Sequence, residues 1–314
     1  MPATILIMDT EAERYVAGIA GTGLPLHAIA ARTPDEAMRR GAEAEIFAAL
    51  APFVTQGVID AMPGLRWIQA LTTGTDQLEK LRLPAGVLVT SARGVHGPQM
   101  AELAFLHMLA LYRNYRAMLE NQGLGVWRRW PQRLLFGKTA TIVGVGTISE
   151  ELASRCHAFG MRVVGISDGR ETAPGFDAVL PRSKLKEAAA EADFLIVLAP
   201  YTRATHHLID AAVLHAMRTD AFLINIARGS VVDESALIEA LADGTIAGAG
   251  LDVFETEPLP ANSPLWPMRN VMVTPHVGGM SDTYPAQVLP LILDNLRHYL
   301  AGDIHAMRNI VQSA

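Results

Sequence analysis

Lys138-Thr139-Ala140-Thr141-Ile142-Val143-Gly144-Val145-Gly146-Thr147-Ile148-Ser149 is the stretch on which the rest of the chain turns. The apolar run 139–143 reads as a buried strand, and a helical pattern follows the glycines. Gly144 makes the tight turn out of the strand, and Gly146 lets a pyrophosphate approach the backbone. The start of the helix supplies unpaired N–H groups and the positive end of its dipole. A lone Gly-x-Gly is weak evidence. Here strand, glycine turn and helix come in the order that binding requires, and an acid, Asp168, ends the next strand at the expected distance. The third glycine of the fingerprint, which serves close helix–strand packing, is replaced by Ser149; a small serine weakens the match without breaking it.

Outward from this segment, short apolar runs alternate with longer helical patterns. Residues 4–8, 67–70 and 87–90 read as strands separated by helices such as 35–50. A second series follows at 140–143, 162–166, 194–198, 221–226, 247–251 and 271–274. Buried strands each spaced by a helix mean parallel sheets covered on both faces, so the expected class is α/β, doubly wound. Between the two series, residues 98–116 are helical and apolar nearly all round (Met100, Leu103, Phe105, Leu106, Met108, Leu109, Leu111). A helix without a polar face is buried in a core or against another subunit. The tail, 290–300, is a further helical stretch able to return to the first domain.

The 314 residues suffice for two ordinary domains, and the formal charge of −6 argues against a basic nucleic-acid or membrane footprint. The single cysteine, Cys156, rules out an internal disulfide and a cysteine zinc cluster. It reads as a buried structural thiol on a helix over 151–158. Residues 1–8 look like a first strand and not a signal peptide, and no apolar run approaches the roughly 20 residues of a membrane span. A soluble, cytoplasmic, metal-free protein is expected.

Three segments in the last third each place a polar residue just after an apolar strand: Asn225-Ile226-Ala227-Arg228-Gly229-Ser230, Gly250-Leu251-Asp252-Val253-Phe254-Glu255-Thr256-Glu257-Pro258, and Thr274-Pro275-His276-Val277-Gly278-Gly279. In an open parallel sheet the carboxyl ends of the strands face the ligand crevice. An arginine, a glutamate and a histidine arriving there make a coherent site. Of the ten histidines a lone one is ordinarily structural or exposed, as His206 and His207 read, but the joint occurrence of the trio is another matter.

Here the chain resembles the D-isomer-specific 2-hydroxyacid dehydrogenases. The likeness is dense from about residue 95 to 279 and most specific over 226–241, 251–258 and 274–279. It implies a Rossmann-type cofactor domain over 95–283, inserted in a flavodoxin-like substrate domain formed by 1–94 and 284–314. Arg228 matches the family's substrate arginine, His276 its general acid/base, and Glu257 the carboxylate that orients the histidine and raises its pKa. As hydride reaches C2 of a 2-keto acid, charge develops on the carbonyl oxygen, and a protonated imidazole beside it donates the proton. Backbone N–H groups at Thr73 and Gly74, within residues 69–76, match the loop that holds the substrate carboxylate, alongside Arg228 and His276. Gly144, Gly146, Thr147, Ile148, Pro200, Ile226, Ala227, Arg228, Asp252, His276, Gly278 and Gly279 match positions around the cofactor.

The cofactor is NAD or NADP. Asp168 suits the ribose 2′-hydroxyl of NAD, whereas Ser167 followed by Arg170 resembles the NADP-using glyoxylate and hydroxypyruvate reductases, which tips the reading towards NADP. The resemblance also implies a homodimer through the helix 98–116; as a separate hypothesis, the loop 123–131 (Trp127, Arg128, Arg129, Trp130) reaches the active-site cleft of the partner subunit. The substrate is a small 2-keto or 2-hydroxy acid, its size set by Leu71, residues 94–98, Met280 and Tyr284. Two alternatives stay open: a phosphite dehydrogenase-like enzyme, and a nucleotide-sensing regulator on the same scaffold.

Overall fold

A computed structural model describes residues 2–312; Met1, Ser313 and Ala314, which the sequence reading assigns to the substrate domain, lie outside the described residues. In chain order the strands are β1 (Ala3–Met8), β2 (Leu26–Ala31), β3 (Ile46–Ala49), β4 (Trp67–Ala70), β5 (Leu88–Thr90), β6 (Thr139–Val143) and β7 (Arg162–Ile166). There follow β8 (Ala178–Leu180), β9 (Phe194–Val197), β10 (Phe222–Asn225), β11 (Gly248–Leu251), β12 (Val271–Val273) and β13 (Ile310–Gln312). The chain divides into two units, Met1–His96 with Ser281–Ala314, and Gly97–Met280.

In the first unit β1 to β5 run parallel in the order β2-β1-β3-β4-β5, and β13 closes the β5 edge antiparallel. That is the flavodoxin-like order. Successive side chains point to opposite faces, and both faces are buried. Leu6, Met8, Phe47, Ile68 and Val89 pack on one side against Ala37, Val58 and Ile59, from the helices Pro34–Arg40 and Gln56–Asp60. Ile5, Ile7, Ile46, Trp67 and Leu88 pack on the other against Tyr15, Ile19, Val288 and Ile292, from the helices Ala12–Ala20 and Tyr284–Leu300. A buried polar chain ties the tail helix in. Trp67 Nε1 donates to Thr90 Oγ1 (2.8 Å), Thr90 Oγ1 to Gln69 Oε1 (2.8 Å), and Asn295 Nδ2 to the same Gln69 oxygen (3.0 Å).

One expected helix is two elements. Residues 35–50 hold a helix only to Arg40, and Ile46–Ala49 is β3. Gly41 ends the helix where a Cβ would crowd Ala37 O and Met62, at 2.8 and 3.0 Å. The four following apolar residues are buried on both sides, so no periodicity separates them from helix. The strands β2, β8 and β13 were also not anticipated, since each is short or only partly buried.

The second unit is parallel throughout, in the order β8-β7-β6-β9-β10-β11-β12. Its first six members follow the dinucleotide-binding sequence 3-2-1-4-5-6, and β12 extends it. One face buries Ala140, Ile142, Val163, Phe194, Ile196 and Ile224 under the helices Gly97–Tyr112 and Thr147–Ala158. The other buries Val143, Leu195, Leu223 and Leu251 under the helices Leu185–Glu191, Ala211–Ala216 and Glu234–Ala242. The helix expected over 98–116 stops at Tyr112; Asn114, at φ 53°, breaks it and Tyr115–Gly123 is a second helix. Cys156 is buried, and burial pushes its thiol up to about 12, an inert state. Among the described residues no helix is long and apolar enough to cross a membrane, and no cluster of His, Cys, Asp or Glu suits a metal ion.

Candidate active site

The order of strands reverses between β6 and β9, which opens a crevice at their carboxyl ends. Gly144 leaves β6 at φ 102°, and a Cβ there would sit 2.6 Å from Ala199 N in the segment after β9. Only glycine fits so close a backbone approach. Gly146 is different: nothing lies within 4 Å of where its Cβ would be. That open cradle faces the start of the helix Thr147–Ala158, whose first amides have no intrahelical partner. It fits a pyrophosphate. Ser149, at the third glycine position, is buried, and its hydroxyl accepts from Gly146 N (2.6 Å) and donates to Gly146 O (2.8 Å). The serine therefore ties the turn together as well as filling the packing site.

Past β7, Ser167 Oγ accepts from Gly169 N at 3.2 Å, and Arg170 pairs with Glu150. Asp168 is engaged by a residue that the sequence reading passed over: Arg182 donates its backbone N–H to Asp168 Oδ1 (2.8 Å), and its Nε lies 3.1 Å from Oδ2. Two separate arginine–carboxylate pairs, Arg182–Asp168 and Arg170–Glu150, thus hold the segment after β7. Pro200, after β9, is exposed near the glycine turn.

β10, β11 and β12 are neighbours in the sheet, so Arg228, Glu257 and His276, which follow them in turn, meet at one edge. His276 Nδ1 lies 2.6 Å from Glu257 Oε2, and Glu257 Oε1 accepts from Phe254 N at 3.0 Å. The bond to Glu257 raises the His276 pKa above the ordinary imidazole value; burial and the Arg228 charge oppose it, and Asp252 supports it. Burial pushes the Glu257 carboxyl up, but the His276 hydrogen bond, the Phe254 N–H and the charges of His276 and Arg228 outweigh it, so its pKa is lowered. Arg228 NH1 donates to Ala227 O (2.8 Å), and Asn225 Nδ2 holds Arg228 O (3.0 Å). Gly229 explains the convergence. A Cβ there would fall 1.9 Å from the Phe254 carbonyl carbon, so the arginine turn lies directly on the loop that carries Glu257.

Asp252, 1% exposed, accepts the backbone N–H groups of Val277 (3.0 Å) and Gly278 (2.9 Å), which anchors the His276 segment. Gly278 is buried against Leu103, Met100 and the Asp252 carboxylate, Gln99 Nε2 reaches Gly279 O (3.4 Å), and Ile226 is buried beside half-buried Ala227. In the first unit Thr73 and Gly74 lie on the loop after β4; Thr73 Oγ1 is 2.9 Å from His96 Nδ1, and Thr72 Oγ1 donates to Gly74 O (2.7 Å). His207 meets Glu255 at 2.7 Å, a structural pair.

Residues 105–278 match the NAD-binding domain of the D-isomer specific 2-hydroxyacid dehydrogenases. Over 258 residues the chain is 35% identical to a glyoxylate reductase of Korarchaeum cryptofilum, covering 79% of this chain and 76% of that one. It is equally 35% identical, over 258 residues, to a glyoxylate/hydroxypyruvate reductase B of Yersinia pestis, with 80% and 79% covered. Among solved structures, a D-isomer specific 2-hydroxyacid dehydrogenase family protein from Aeromonas salmonicida superposes over 100% of both chains with TM-score 0.92 and 31% identity. A D-isomer specific 2-hydroxyacid dehydrogenase from Xanthobacter autotrophicus, in complex with NADPH and MES, superposes with TM-score 0.84 and 28% identity over 100% and 99%.

Proposed function

This chain belongs to the D-isomer specific 2-hydroxyacid dehydrogenase family, an NAD(P)-dependent group of oxidoreductases, and we propose that it reduces glyoxylate- and hydroxypyruvate-like 2-keto acids with His276 as the proton donor. The observation that carries this reading is the 2.6 Å His276–Glu257 bond within the field of Arg228. The cradle at Gly146 and the amides of Thr147 and Ile148 would hold the dinucleotide, which when bound supplies the hydride to C2.

Charge then builds on the keto oxygen. His276 Nε2, the ring nitrogen that Glu257 does not hold, gives that oxygen its proton, and Glu257 keeps the imidazole charged until transfer. In the oxidative direction the neutral ring takes the proton back. The forked guanidinium of Arg228 suits a carboxylate and the developing oxyanion together.

NADP is the preferred cofactor in this reading. Asp168 is already engaged by Arg182, which blunts its repulsion of a 2′-phosphate, and Arg170 would exchange its Glu150 partner for that phosphate. The exposed apolar side chains Leu124, Trp127, Leu134 and Phe136 support a homodimer, taken to be cytoplasmic. The test is the rate of cofactor oxidation with glyoxylate, hydroxypyruvate and pyruvate, each with NADPH and NADH, together with phosphite as reductant of the oxidised cofactors. Saturable reduction of the keto acids, faster with NADPH, is the expected result. Tight cofactor binding with negligible turnover would instead make the protein a nucleotide sensor, and turnover of phosphite alone would change the substrate class.

A further inference from the structure

His107 lies in the helix Gly97–Tyr112 among apolar neighbours and is fully buried. An imidazole in such a place is costly unless its polar atoms find partners. Its Nε2 lies 3.1 Å from Thr274 Oγ1. Thr274 Oγ1 donates to Asp252 Oδ1 at 2.6 Å. The same carboxylate takes the Val277 and Gly278 amides at 3.0 and 2.9 Å, while the Asp252 carbonyl accepts His276 N at 2.9 Å. His276 is held between these contacts at φ 52°, a left-handed conformation that a non-glycine residue keeps only where its surroundings enforce it.

Counting donors sets the direction of the chain. The Thr274 hydroxyl has one proton and directs it at Asp252, so towards His107 it accepts, which requires the proton on Nε2. Among the described residues Nδ1 has no hydrogen-bond partner of normal geometry, and burial pulls the imidazole pKa below its ordinary value against the attraction of Asp252 and a lesser opposing pull from the Gly250 backbone. The neutral ring with Nε2–H satisfies both facts. The sheet makes room for it: a Cβ at Gly250 would stand 2.4 Å from His107 Nδ1 and 2.7 Å from its Cβ.

We propose that His107 is a positioning residue for the reaction: through Thr274 it orients the Asp252 carboxylate, and Asp252 in turn fixes the backbone that carries the His276 imidazole. The relevance to catalysis rests on the reading of His276 as proton donor; the positioning itself does not.

His107→Leu keeps the apolar packing but removes the donor, and His107→Gln restores an N–H at about the same reach. In amide correlation spectra of the full protein, the Val277 and Gly278 resonances should move in the leucine variant and return towards their original positions in the glutamine variant. With keto acid and NADPH, kcat should fall about tenfold in the first and recover in the second, with the cofactor KM little changed. Resonances that stay in place in His107→Leu, or glutamine displacing them as far as leucine, would overturn the inference. Should the leucine variant not fold, imidazole nitrogen spectra of the unaltered protein decide: a proton on Nε2 throughout about pH 6 to 8 supports the chain, and a proton on Nδ1 refutes it. Amides that move as expected in a protein with no keto acid turnover would sink the reaction assignment and leave the positioning role standing.

Discussion

Replacing Glu257 by glutamine probes the proposed proton donor, His276, with one heavy atom changed. In the native site both carboxylate oxygens face donors: Oε2 meets His276 Nδ1 at 2.6 Å and Oε1 meets Phe254 N at 3.0 Å. An amide can answer only one of them with its oxygen. The Phe254 N–H cannot change, so the amide oxygen turns to it and the NH2 faces His276. That arrangement suits a His276 ring with a bare Nδ1 and its proton on Nε2, the neutral tautomer. Reduction loses a strong acid, and oxidation loses its base altogether. Losing one charge-assisted bond costs about tenfold, and a wrong tautomer at a buried histidine costs about 10⁴-fold. With the two side chains still 40% and 34% exposed, solvent makes good part of the loss, and we expect about a 10²-fold fall in kcat for reduction and more for oxidation. The sign with pH follows from the raised native value: reduction needs the imidazolium and fades as pH rises through the His276 pKa. Without the carboxylate that pKa drops, so the alkaline limb of the reduction profile moves to lower pH. Initial rates in both directions across the pH range check this. A Glu257→Gln enzyme with unchanged rates and an unmoved limb would refute the reasoning.

His276→Asn should lower turnover about 100-fold or more while the affinity for NADPH, followed by fluorescence titration, stays within about twofold. Arg170→Ala should reduce kcat/KM for NADPH more than for NADH, and equal losses with both cofactors would remove Arg170 from 2′-phosphate recognition. Gly229→Ala drives a methyl group into the Phe254 backbone at 1.9 Å; we expect about 1–3 kcal/mol of destabilisation or more, seen as a lowered Tm, with a loss of kcat because Arg228 and Glu257 are pushed apart. The double change Trp127→Ala with Trp130→Ala should weaken the dimer in sedimentation velocity; unaltered association and turnover would take this loop out of the interface.

Local signals carried the fold class and brought Arg228, Glu257 and His276 forward as the candidate trio. Strand, glycine turn and helix around Gly144 are written within a dozen consecutive residues, and each of Arg228, Glu257 and His276 follows a short apolar run that reads as a buried strand. Such features need no knowledge of distant parts of the chain, because turn chemistry and periodicity are properties of neighbours. The same reasoning failed over residues 35–50, where four apolar residues buried on both faces have no period to read and only the pairing of Ile46–Ala49 between β1 and β4 makes them a strand.

Tertiary structure alone decided which atoms of the site are engaged. No spacing rule shows that Glu257 takes Nδ1 of His276 and leaves Nε2 outside that bond, or that Asp252 works as a buried anchor for the amides of Val277 and Gly278. Arg182 reaches Asp168 across 14 residues, His107 reaches Thr274 across 167, and Asn295 reaches Gln69 across 226. The reason is physical: a hydrogen bond is worth its energy only at the right distance and angle, and for residues this far apart the packing of the sheet and its helices sets both.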